Sequence, residues 1–209
     1  MLSPEQILKN YNEFTGYINK MSDQDERREK ILVMLNQLEE ILPYCPASSK
    51  KEYHNAFEGG LVQHCLNVFK NSLKLKVAYS FSNISYESLL IACFFHDFGK
   101  VVSIDQSGNL IPHYVHEQSQ WHREKLGKLY TENPDEKFMC TRHRTLFLLQ
   151  HFGIKLSYDE YTAIMLNDGF VVDENKSYCM KACPLAFIVM TADYYSSMKE
   201  KEDCVKEGW

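Results

Sequence analysis

A run of seven apolar residues, 89–95, leads directly into the dipeptide His96-Asp97, and no other feature of this sequence restricts the fold so strongly. With its flanks, at about residues 85–98, the run is long enough to form a helix that is apolar on every side. Such a helix is stable only at the centre of a globule, where neighbouring elements cover all of its faces. Gly99 is expected to end it, which puts His96 and Asp97 at the C-terminal end of a buried helix.

The rest of the chain shows helical periodicity almost throughout, with apolar residues recurring every three or four positions. In addition to the central helix, helices are predicted at about residues 4–21, 22–42, 61–77, 115–130, 137–152, 157–166 and 184–202. A small hairpin is predicted over residues 101–114, where Ser107-Gly108-Asn109 would form the turn. The predicted fold class is therefore all-α: a single compact globular helical bundle of about eight helices.

Residues 1–44 are predicted to form an N-terminal helical hairpin that is appended to a core of residues 45–209. The boundary is drawn at Pro43, where the second apolar stripe ends and an irregular stretch begins. The sequence does not indicate whether this hairpin joins two copies of the chain, so a homo-oligomer is left open.

Composition limits the classes of function that are open to the chain. Its 209 residues are 44 % hydrophobic, enough for a substantial core, and no apolar run approaches the roughly 20 residues that a membrane span requires. The formal net charge of −5 disfavours a surface coated in positive charge for duplex DNA. Seven cysteines without a pairing pattern, and the lack of a signal peptide, favour a reducing, cytoplasmic location and no membrane partner.

Four side chains combine ligand chemistry with apolar surroundings: His64, His96, Asp97 and Asp193. Taken singly, each is also compatible with a satisfied core histidine or a buried hydrogen-bond partner. An ionised carboxylate buried without a partner is costly, so Asp97 and Asp193 need a cation or strong hydrogen-bond donors. Two imidazoles and two carboxylates form a mixed nitrogen and oxygen set that suits one divalent transition metal: Mn, Co, Ni, Fe or Zn.

Three segments around these residues resemble the HD-domain metal-dependent phosphohydrolase superfamily. The run HNAFEGGLVQH, from His54 to His64, is similar to the first metal-ligand motif of that superfamily. The segment FFHDFGK, residues 94–100, resembles its namesake His-Asp motif, and TAD, residues 191–193, resembles its closing aspartate. The resemblance covers about residues 45–198. It implies an HD-domain-like helical fold in which His64, His96, Asp97 and Asp193 hold a metal.

The resemblance also implies a reaction, the hydrolysis of a phosphate ester or anhydride by a metal-activated water. Asp97 would be catalytic, because it would contact both the metal and the water that it orients or deprotonates. Lys100, about one turn beyond His96, would be catalytic by neutralising charge on the phosphate. A positive charge that only stabilises a helix C-terminus is an equally open interpretation of Lys100.

A second metal, such as Mg, is left open by the sequence. Relatives with two metals carry extra histidines before the final aspartate, and this chain has five histidines between its His-Asp pair and Asp193. Where many relatives have a histidine shortly before a glycine, this chain has Asn167, followed by Asp168. An amide is a poorer ligand than an imidazole, which favours a centre with one metal. Asn167 and Asp168 are instead candidate substrate contacts.

Further candidate substrate contacts lie in two segments. His54 and Glu58 immediately precede the first ligand helix, where loops often line sites. The second segment combines positive charge with an aromatic ring, which suits a nucleotide. Its residues are Trp121, His122, Arg123 and Lys125. The alternative for this segment is a surface helix with Trp121, Leu126 and Leu129 in the core.

Three functions remain open from the sequence. The first is a phosphohydrolase of a small-molecule (deoxy)nucleotide, which a short chain without an obvious partner domain favours. The second is a phosphodiesterase or nuclease acting on RNA, single-stranded DNA or a cyclic nucleotide, because Gly59-Gly60-Leu61 also resembles HD domains attached to RNA-trimming exonucleases. The third is a non-enzymatic nucleotide-binding module in which the metal stabilises the fold.

Overall fold

The computed structural model describes residues 1–206. This part of the chain contains nine α-helices: α1 (Pro4–Ile18), α2 (Arg27–Gln37), α3 (Gly60–Ala78), α4 (Tyr86–Phe95), α5 (Gln120–Leu126), α6 (Thr141–His151), α7 (Tyr158–Leu166), α8 (Lys176–Cys179) and α9 (Pro184–Lys206). Single 3-10 turns lie at Leu42–Tyr44, Phe98–Lys100, Gly169–Val171 and Asp173–Asn175. Four short strands, β1 (Val102–Ile104), β2 (Leu110–Pro112), β3 (Tyr114–His116) and β4 (Tyr130–Glu132), form two antiparallel pairs, β1–β2 and β3–β4. The described chain is thus predominantly helical, with two small sheets.

Serine side chains begin four of the helices, because a hydroxyl at the N-cap accepts a hydrogen bond from an otherwise unpaired backbone N–H. Ser3 caps α1, Ser85 caps α4, Ser119 caps α5 and Ser157 caps α7. At α7 the cap is reciprocal, since the Glu160 carboxylate accepts from the backbone N–H of Ser157 at 2.7 Å. The predicted starts of the helices at about residues 4 and 157 are therefore confirmed.

Helix α4 lies at the centre of the molecule, as its all-apolar sequence predicts. Each of residues 89–95 is buried. The helix packs against α3, α7 and α9, and the rings of Phe14 in α1 and Phe94 in α4 stack with their centroids 4.0 Å apart. Because every face of α4 is covered, its C-terminal end also lies in the interior, and this end carries His96 and Asp97.

The N-terminal helices α1 and α2 contribute to the same hydrophobic core as the rest of the chain. Phe14, Ile31 and Met34 are buried in one cluster with residues of α3, α4 and α9. An ion pair adds to this packing, since Arg27 Nη1 lies 2.7 Å from the buried Glu160 carboxylate of α7. The division of the chain at residue 44 stays a prediction, and packing is continuous across it.

One predicted helix is wrong, because residues 115–130 do not form a single helix. Strands β3 and β4 occupy the two ends of this segment and pair with Tyr114 opposite Glu132, and only α5 is helical between them. Gly127 ends α5 in the left-handed conformation, with φ of +58°. The β3–β4 pairing joins residues that are distant in sequence, so local periodicity contains no signal for it.

The predicted hairpin over residues 101–114 is confirmed, since β1 and β2 pair with Val102 opposite Pro112. Other boundaries differ by a few residues. Helix α2 is shorter than predicted at both ends, and α6 begins at Thr141 rather than near residue 137. The one-turn helix α8 is too short to show a periodicity, and the sequence does not predict it.

Within residues 1–206, no helix combines the length and the apolar character needed to cross a membrane.

Candidate metal centre

Three helices bring the four predicted metal ligands together. His64 lies in α3, His96 follows the last residue of α4, Asp97 precedes the 3-10 turn, and Asp193 lies in the middle of α9. Both imidazoles are fully buried, whereas 10 % of the Asp97 side chain and 15 % of the Asp193 side chain remain exposed. The cluster is therefore a buried group that reaches the surface through its two carboxylates.

The ligand atoms converge on the two histidine Nε2 atoms, which lie 3.2 Å apart. Asp193 Oδ1 is 3.0 Å from His64 Nε2 and 3.8 Å from His96 Nε2. Asp97 Oδ2 lies 3.5 Å from His96 Nε2. Two atoms bound to one ion at about 2.1 Å, and separated by about 90 to 110°, are about 3.0 to 3.4 Å apart. The spacing of the two Nε2 atoms therefore suits neighbouring ligands of a single ion.

In each imidazole the Nδ1 atom already has a hydrogen-bond partner, so Nε2 is the nitrogen that faces the cluster. His96 Nδ1 donates to the Cys93 carbonyl oxygen at 2.8 Å. His64 Nδ1 donates to Glu200 Oε2 at 2.9 Å, and Asn67 Nδ2 donates to the other oxygen of Glu200 at 2.8 Å. Donation through Nδ1–H leaves the Nε2 lone pair available to a metal and fixes the orientation of the ring.

The donor set fits a divalent transition metal. With both Nδ1 atoms donating, the two Nε2 atoms face each other at 3.2 Å, and a shared proton or a metal ion between them would stabilise this arrangement. His64, His96 and Asp193 offer ligand atoms that all lie within 4.8 Å of one another. Imidazole nitrogen together with carboxylate oxygen suits Mn, Fe, Co, Ni or Zn better than Mg, which prefers oxygen ligands. These buried groups could hold a metal ion, as the sequence predicts.

The cluster favours positive charge, as the pKa values of its members indicate. Burial acts to lower the pKa of His64, but the carboxylates of Glu200 and Asp193 outweigh burial and raise it to about 10. Burial acts in the opposite direction on Asp97, but the positive charge of Lys100 and of the two histidines holds its pKa well below the usual range. A divalent cation would supply the same positive charge in place of a proton.

Lys100 lies beside the cluster, at the end of the 3-10 turn that follows Asp97. Its Nζ is 2.6 Å from Asp97 Oδ2. Helix α6 holds the turn in place, since Gly99 N donates to Thr145 Oγ1 at 2.7 Å and Arg144 Nη1 donates to the Gly99 carbonyl oxygen at 2.9 Å. These contacts keep the ammonium group next to the carboxylate of the His-Asp pair.

His54, a predicted substrate contact, lies against the predicted metal ligands themselves. Its ring centroid is 4.5 Å from that of His64. A ring nitrogen of His54 lies within 4.8 Å of ligand atoms of both His64 and Asp97. Its Nε2 atom is buried without a hydrogen-bond partner. Burial, together with the neighbouring charge of His64, lowers the pKa of His54 to about 2, so the ring is neutral.

Two other predicted substrate contacts, Glu58 and Arg123, share a cavity of about 450 Å³ beside β3 and β4. His116 and Tyr130 also line it, and His116 Nε2 lies 3.7 Å from Glu58 Oε1. None of the four predicted metal ligands lines this cavity, as far as residues 1–206 are concerned. Contact of Glu58 and Arg123 with a substrate stays a prediction.

The aromatic and basic segment of α5 lies at the surface. The alternative in which Trp121 and Leu126 pack in the core is wrong, since 58 % and 44 % of their respective surfaces are exposed. His122 is half-buried and Lys125 is exposed. The structure brings this segment near the cavity of Glu58 through Arg123, and a role of these side chains in substrate binding stays a prediction.

Asn167 and Asp168 follow the C-terminal end of α7, at the edge of the cluster. The Asn167 side chain is buried, and its Oδ1 atom has no hydrogen-bond partner. Asp168 is half-exposed, and partial burial together with the negative charge of Asp97 raises its pKa. Among the described residues, Asp168 belongs to no group of histidine, cysteine, aspartate and glutamate side chains that could hold a metal. Both therefore stay candidate substrate contacts.

Glu200 accepts a hydrogen bond from His64 Nδ1, on the side of the ring that faces away from the cluster. The sequence around Glu200 gives little reason to select this residue. It lies in a segment of glutamates, lysines and aspartate that is typical of a solvent-exposed helix face. The spacing does contain a signal, because Glu200 follows Asp193 by seven residues, or two helical turns, and so lies on the same face of α9. In the structure Glu200 is buried, as the position on that face requires.

Comparison of the chain with protein-family models, curated proteins and solved structures finds no match. The resemblance of three sequence motifs to HD-type hydrolases therefore stays a prediction. The functional argument rests on the residues of this chain and on their geometry.

Proposed function

We propose that the chain is a metal-dependent phosphohydrolase that hydrolyses a phosphate ester or anhydride of a (deoxy)nucleotide with a metal-activated water. The observation that carries the proposal is the pair His64 and His96, whose buried Nε2 atoms lie 3.2 Å apart beside Asp193. Both Nδ1 atoms donate to protein acceptors. Such a group is costly to bury unless a cation joins its members.

The sequence motifs support the same chemistry. The residues that match the HD-type pattern are His64 in α3, His96 and Asp97 just after α4, and Asp193 in α9, and they nevertheless converge in one buried cluster. Chance matches to short motifs are not expected to converge in this way. Motif and geometry are thus two separate reasons for the proposal.

A divalent ion held by these four residues would polarise a phosphoryl oxygen and lower the pKa of a water toward neutrality. At Asp97 the positive charge of Lys100 outweighs the effect of burial and depresses the pKa of the carboxyl group, which is therefore ionised at neutral pH. A carboxylate with a depressed pKa is a weak base. The Asp97 carboxylate would therefore accept a hydrogen bond from the attacking water and orient it, and the water would lose its proton to solvent because the ion lowers its pKa. The Lys100 ammonium neutralises negative charge on the phosphate oxygens.

A small phosphorylated substrate fits the access to the cluster better than a long polymer. The two histidines are not exposed, and the group reaches the surface only through small exposed parts of Asp97, Lys100 and Asp193 among the described residues. The net charge of −5 also weakens attraction to a polymer of phosphates. Nucleotides with one to three phosphates are therefore the favoured substrate class.

A phosphodiesterase or nuclease is the second candidate, favoured by the similarity of Gly59-Gly60-Leu61 to exonuclease-associated HD domains. One of these glycines has a structural reason that is independent of substrate. A Cβ at Gly60 would lie 2.1 Å from the Asn55 carbonyl oxygen, so the chain needs glycine there for packing alone. The similarity of this glycine pair to nuclease-associated domains therefore supports a nuclease less than it would if Gly60 had no role in packing.

A turnover screen tests the proposal. The protein is stripped of metal, re-supplied with Mn, Co, Ni, Zn or Mg in turn, and offered nucleoside mono-, di- and triphosphates, cyclic nucleotides and a short RNA. Metal-dependent release of phosphate, pyrophosphate or triphosphate from one nucleotide is expected. Cleavage of RNA or a cyclic nucleotide alone would favour the second candidate, and binding without turnover would favour a non-enzymatic module.

Two variants show whether turnover belongs to the cluster. Asp97→Ala is expected to abolish turnover, and His96→Ala is expected to lose bound metal in elemental analysis, because each change deletes a ligand atom. His151→Ala is the control, since it removes an exposed imidazole at the end of α6. Full activity of Asp97→Ala, or an unchanged metal content of His96→Ala, would contradict the proposed site.

A further inference from the structure

The loop before α3 holds His54 in a defined position. Ser48 Oγ donates to the His54 carbonyl oxygen at 2.5 Å, and Ala47 N donates to the Asn55 carbonyl oxygen at 3.1 Å. Asn55 adopts the left-handed conformation, with φ of +46°, which asparagine tolerates better than most residues. The backbone is thus tied down at His54 and at the next residue, which limits the positions that the imidazole can take.

His54 is half-buried beside the cluster, and its Nε2 atom is buried without a hydrogen-bond partner. Burying a polar atom without a hydrogen-bond partner costs free energy. Because the loop is fixed with the Nε2 atom of His54 buried, this nitrogen is expected to bind something other than a protein atom. His54, His64 and Asp97 offer one ligand atom each, and these atoms all lie within 4.8 Å of one another. The site therefore contains a second triad in addition to His64, His96 and Asp193.

The two triads share His64, which can bind only one ion. Its Nδ1 donates to Glu200 at 2.9 Å, so only the Nε2 lone pair is available to a metal. One ion must then serve both triads. Opposite ligands of an octahedral ion with bonds of about 2.1 Å are about 4.2 Å apart, and within each triad the ligand atoms lie at most 4.8 Å from one another.

We propose that His54 is a fifth protein ligand of the metal centre, an assignment that rests on the metal site of the proposed function. Three imidazoles and two carboxylates leave one position of an octahedral ion, which the attacking water would take, so the ion would polarise the phosphoryl oxygen from a short distance rather than by binding it. Three nitrogen ligands also move the preference of the site away from Mg and toward Co, Ni, Fe or Zn. His54 is then part of the metal centre and not a substrate contact.

X-ray absorption spectroscopy of the full chain, loaded with one equivalent of cobalt(II), tests the assignment, because scattering from the outer ring atoms counts the imidazoles bound to the ion. Three imidazoles are expected, from His54, His64 and His96. Two imidazoles would overturn the role of His54 and leave the proposed metal site intact. A chain that binds no cobalt would overturn both.

The variant His54→Asn provides a second measurement, with circular dichroism to establish that it folds. The imidazole count is expected to fall from three to two, and the dissociation constant for cobalt(II) to rise by about tenfold or more. His151→Ala, which removes an exposed imidazole, is expected to change neither quantity. An unchanged count and affinity in His54→Asn would overturn the assignment. If the variant does not fold, the imidazole count of the wild-type chain decides.

Discussion

Glu200 acts on the candidate metal centre without being one of its ligands. Its buried carboxylate accepts hydrogen bonds from His64 Nδ1 at 2.9 Å and from Asn67 Nδ2 at 2.8 Å, which offsets the cost of burying the charge. The negative charge also makes the imidazole of His64 a stronger ligand. Because Asp193 lies on the same helix, α9 supplies both a ligand and the group that orients another ligand.

Replacing Glu200 by Gln should weaken metal binding by about 10- to 100-fold. The amide keeps the shape of the side chain but removes the charge that strengthens His64 as a ligand. Competition with a coloured chelator measures the dissociation constant. Glu202→Gln is the matched control, because Glu202 lies on the same helix, is exposed and contacts Lys199 and Lys206. Equal affinities in the two variants would show that Glu200 does not act through His64.

Single residues can be predicted from sequence where their chemistry conflicts with their surroundings. His96 and Asp97 follow seven apolar residues, and this conflict by itself indicates that both side chains need a buried partner. Glu200 has charged neighbours in the sequence, so only the packing of α9 against α3 shows that it is buried. His54 lies in a loop, whose path periodicity does not predict, and its contact with His64 is likewise visible only in three dimensions.

At the level of elements, the turn after α4 depends on a close approach of α6. A Cβ at Gly99 would lie 2.2 Å from the Thr141 carbonyl oxygen and 3.0 Å from Thr145 N, both of them backbone atoms. Backbone cannot rotate away as a flexible side chain can, so glycine is the residue that allows this contact. The same contact lets α6 hold the turn that follows Asp97.

The variant Gly99→Ala should therefore lose about 2 kcal/mol or more of its free energy of unfolding, because the added methyl group pushes α6 away from the turn. Urea unfolding of the metal-free protein measures this loss. Gly16→Ala is the control, since Gly16 lies in α1 and an added Cβ meets nothing within 4 Å. That change should stabilise the helix by about 0.5 to 1 kcal/mol. Similar effects of the two variants would show that α6 does not restrict the turn.

The helices could be predicted more completely than the sheets, for a physical reason. The signals for α4, an apolar run and a serine cap, are contained in the helix and its first flanking residue. Strands β3 and β4 have three residues each, too few for alternation to be recognised, and each pairs with a partner that is distant in sequence. Their pairing is decided by the fold, so a local pattern predicts a helix there instead.

For the whole molecule, the shared core implies that α1 and the metal-bearing helices unfold together. Phe14→Ala should lose about 3 to 5 kcal/mol, because the Phe14 ring is buried and stacks on Phe94 of α4. Thermal unfolding, followed by circular dichroism and by metal release, should show one transition that moves to lower temperature. Leu8→Ala, at an exposed position of the same helix, should leave it unchanged. A separate transition for the N-terminal helices would instead support an appended hairpin of residues 1–44.

Protonation and metal binding compete for His64 Nε2, which links the stability of the molecule to pH. In the metal-free protein burial acts to lower the pKa of His64, but Glu200 and Asp193 outweigh it and raise the pKa from 6.5 to about 10. Between these values the folded chain keeps a proton that the unfolded chain has lost. The stability contributed by His64 is therefore complete below pH 6.5 and is lost as the pH rises toward 10.

Urea unfolding of the metal-free protein should accordingly show a stability that falls above pH 6.5, where His64 contributes at most about 1.4 kcal/mol per pH unit. The affinity for cobalt(II) should rise over the same range, because the ion must displace the proton from Nε2. Added metal should then stabilise the fold more at alkaline than at neutral pH. If affinity did not change with pH while metal-free stability still fell, His64 would belong to a buried ion pair with Glu200 and Asp193 and not to a metal centre.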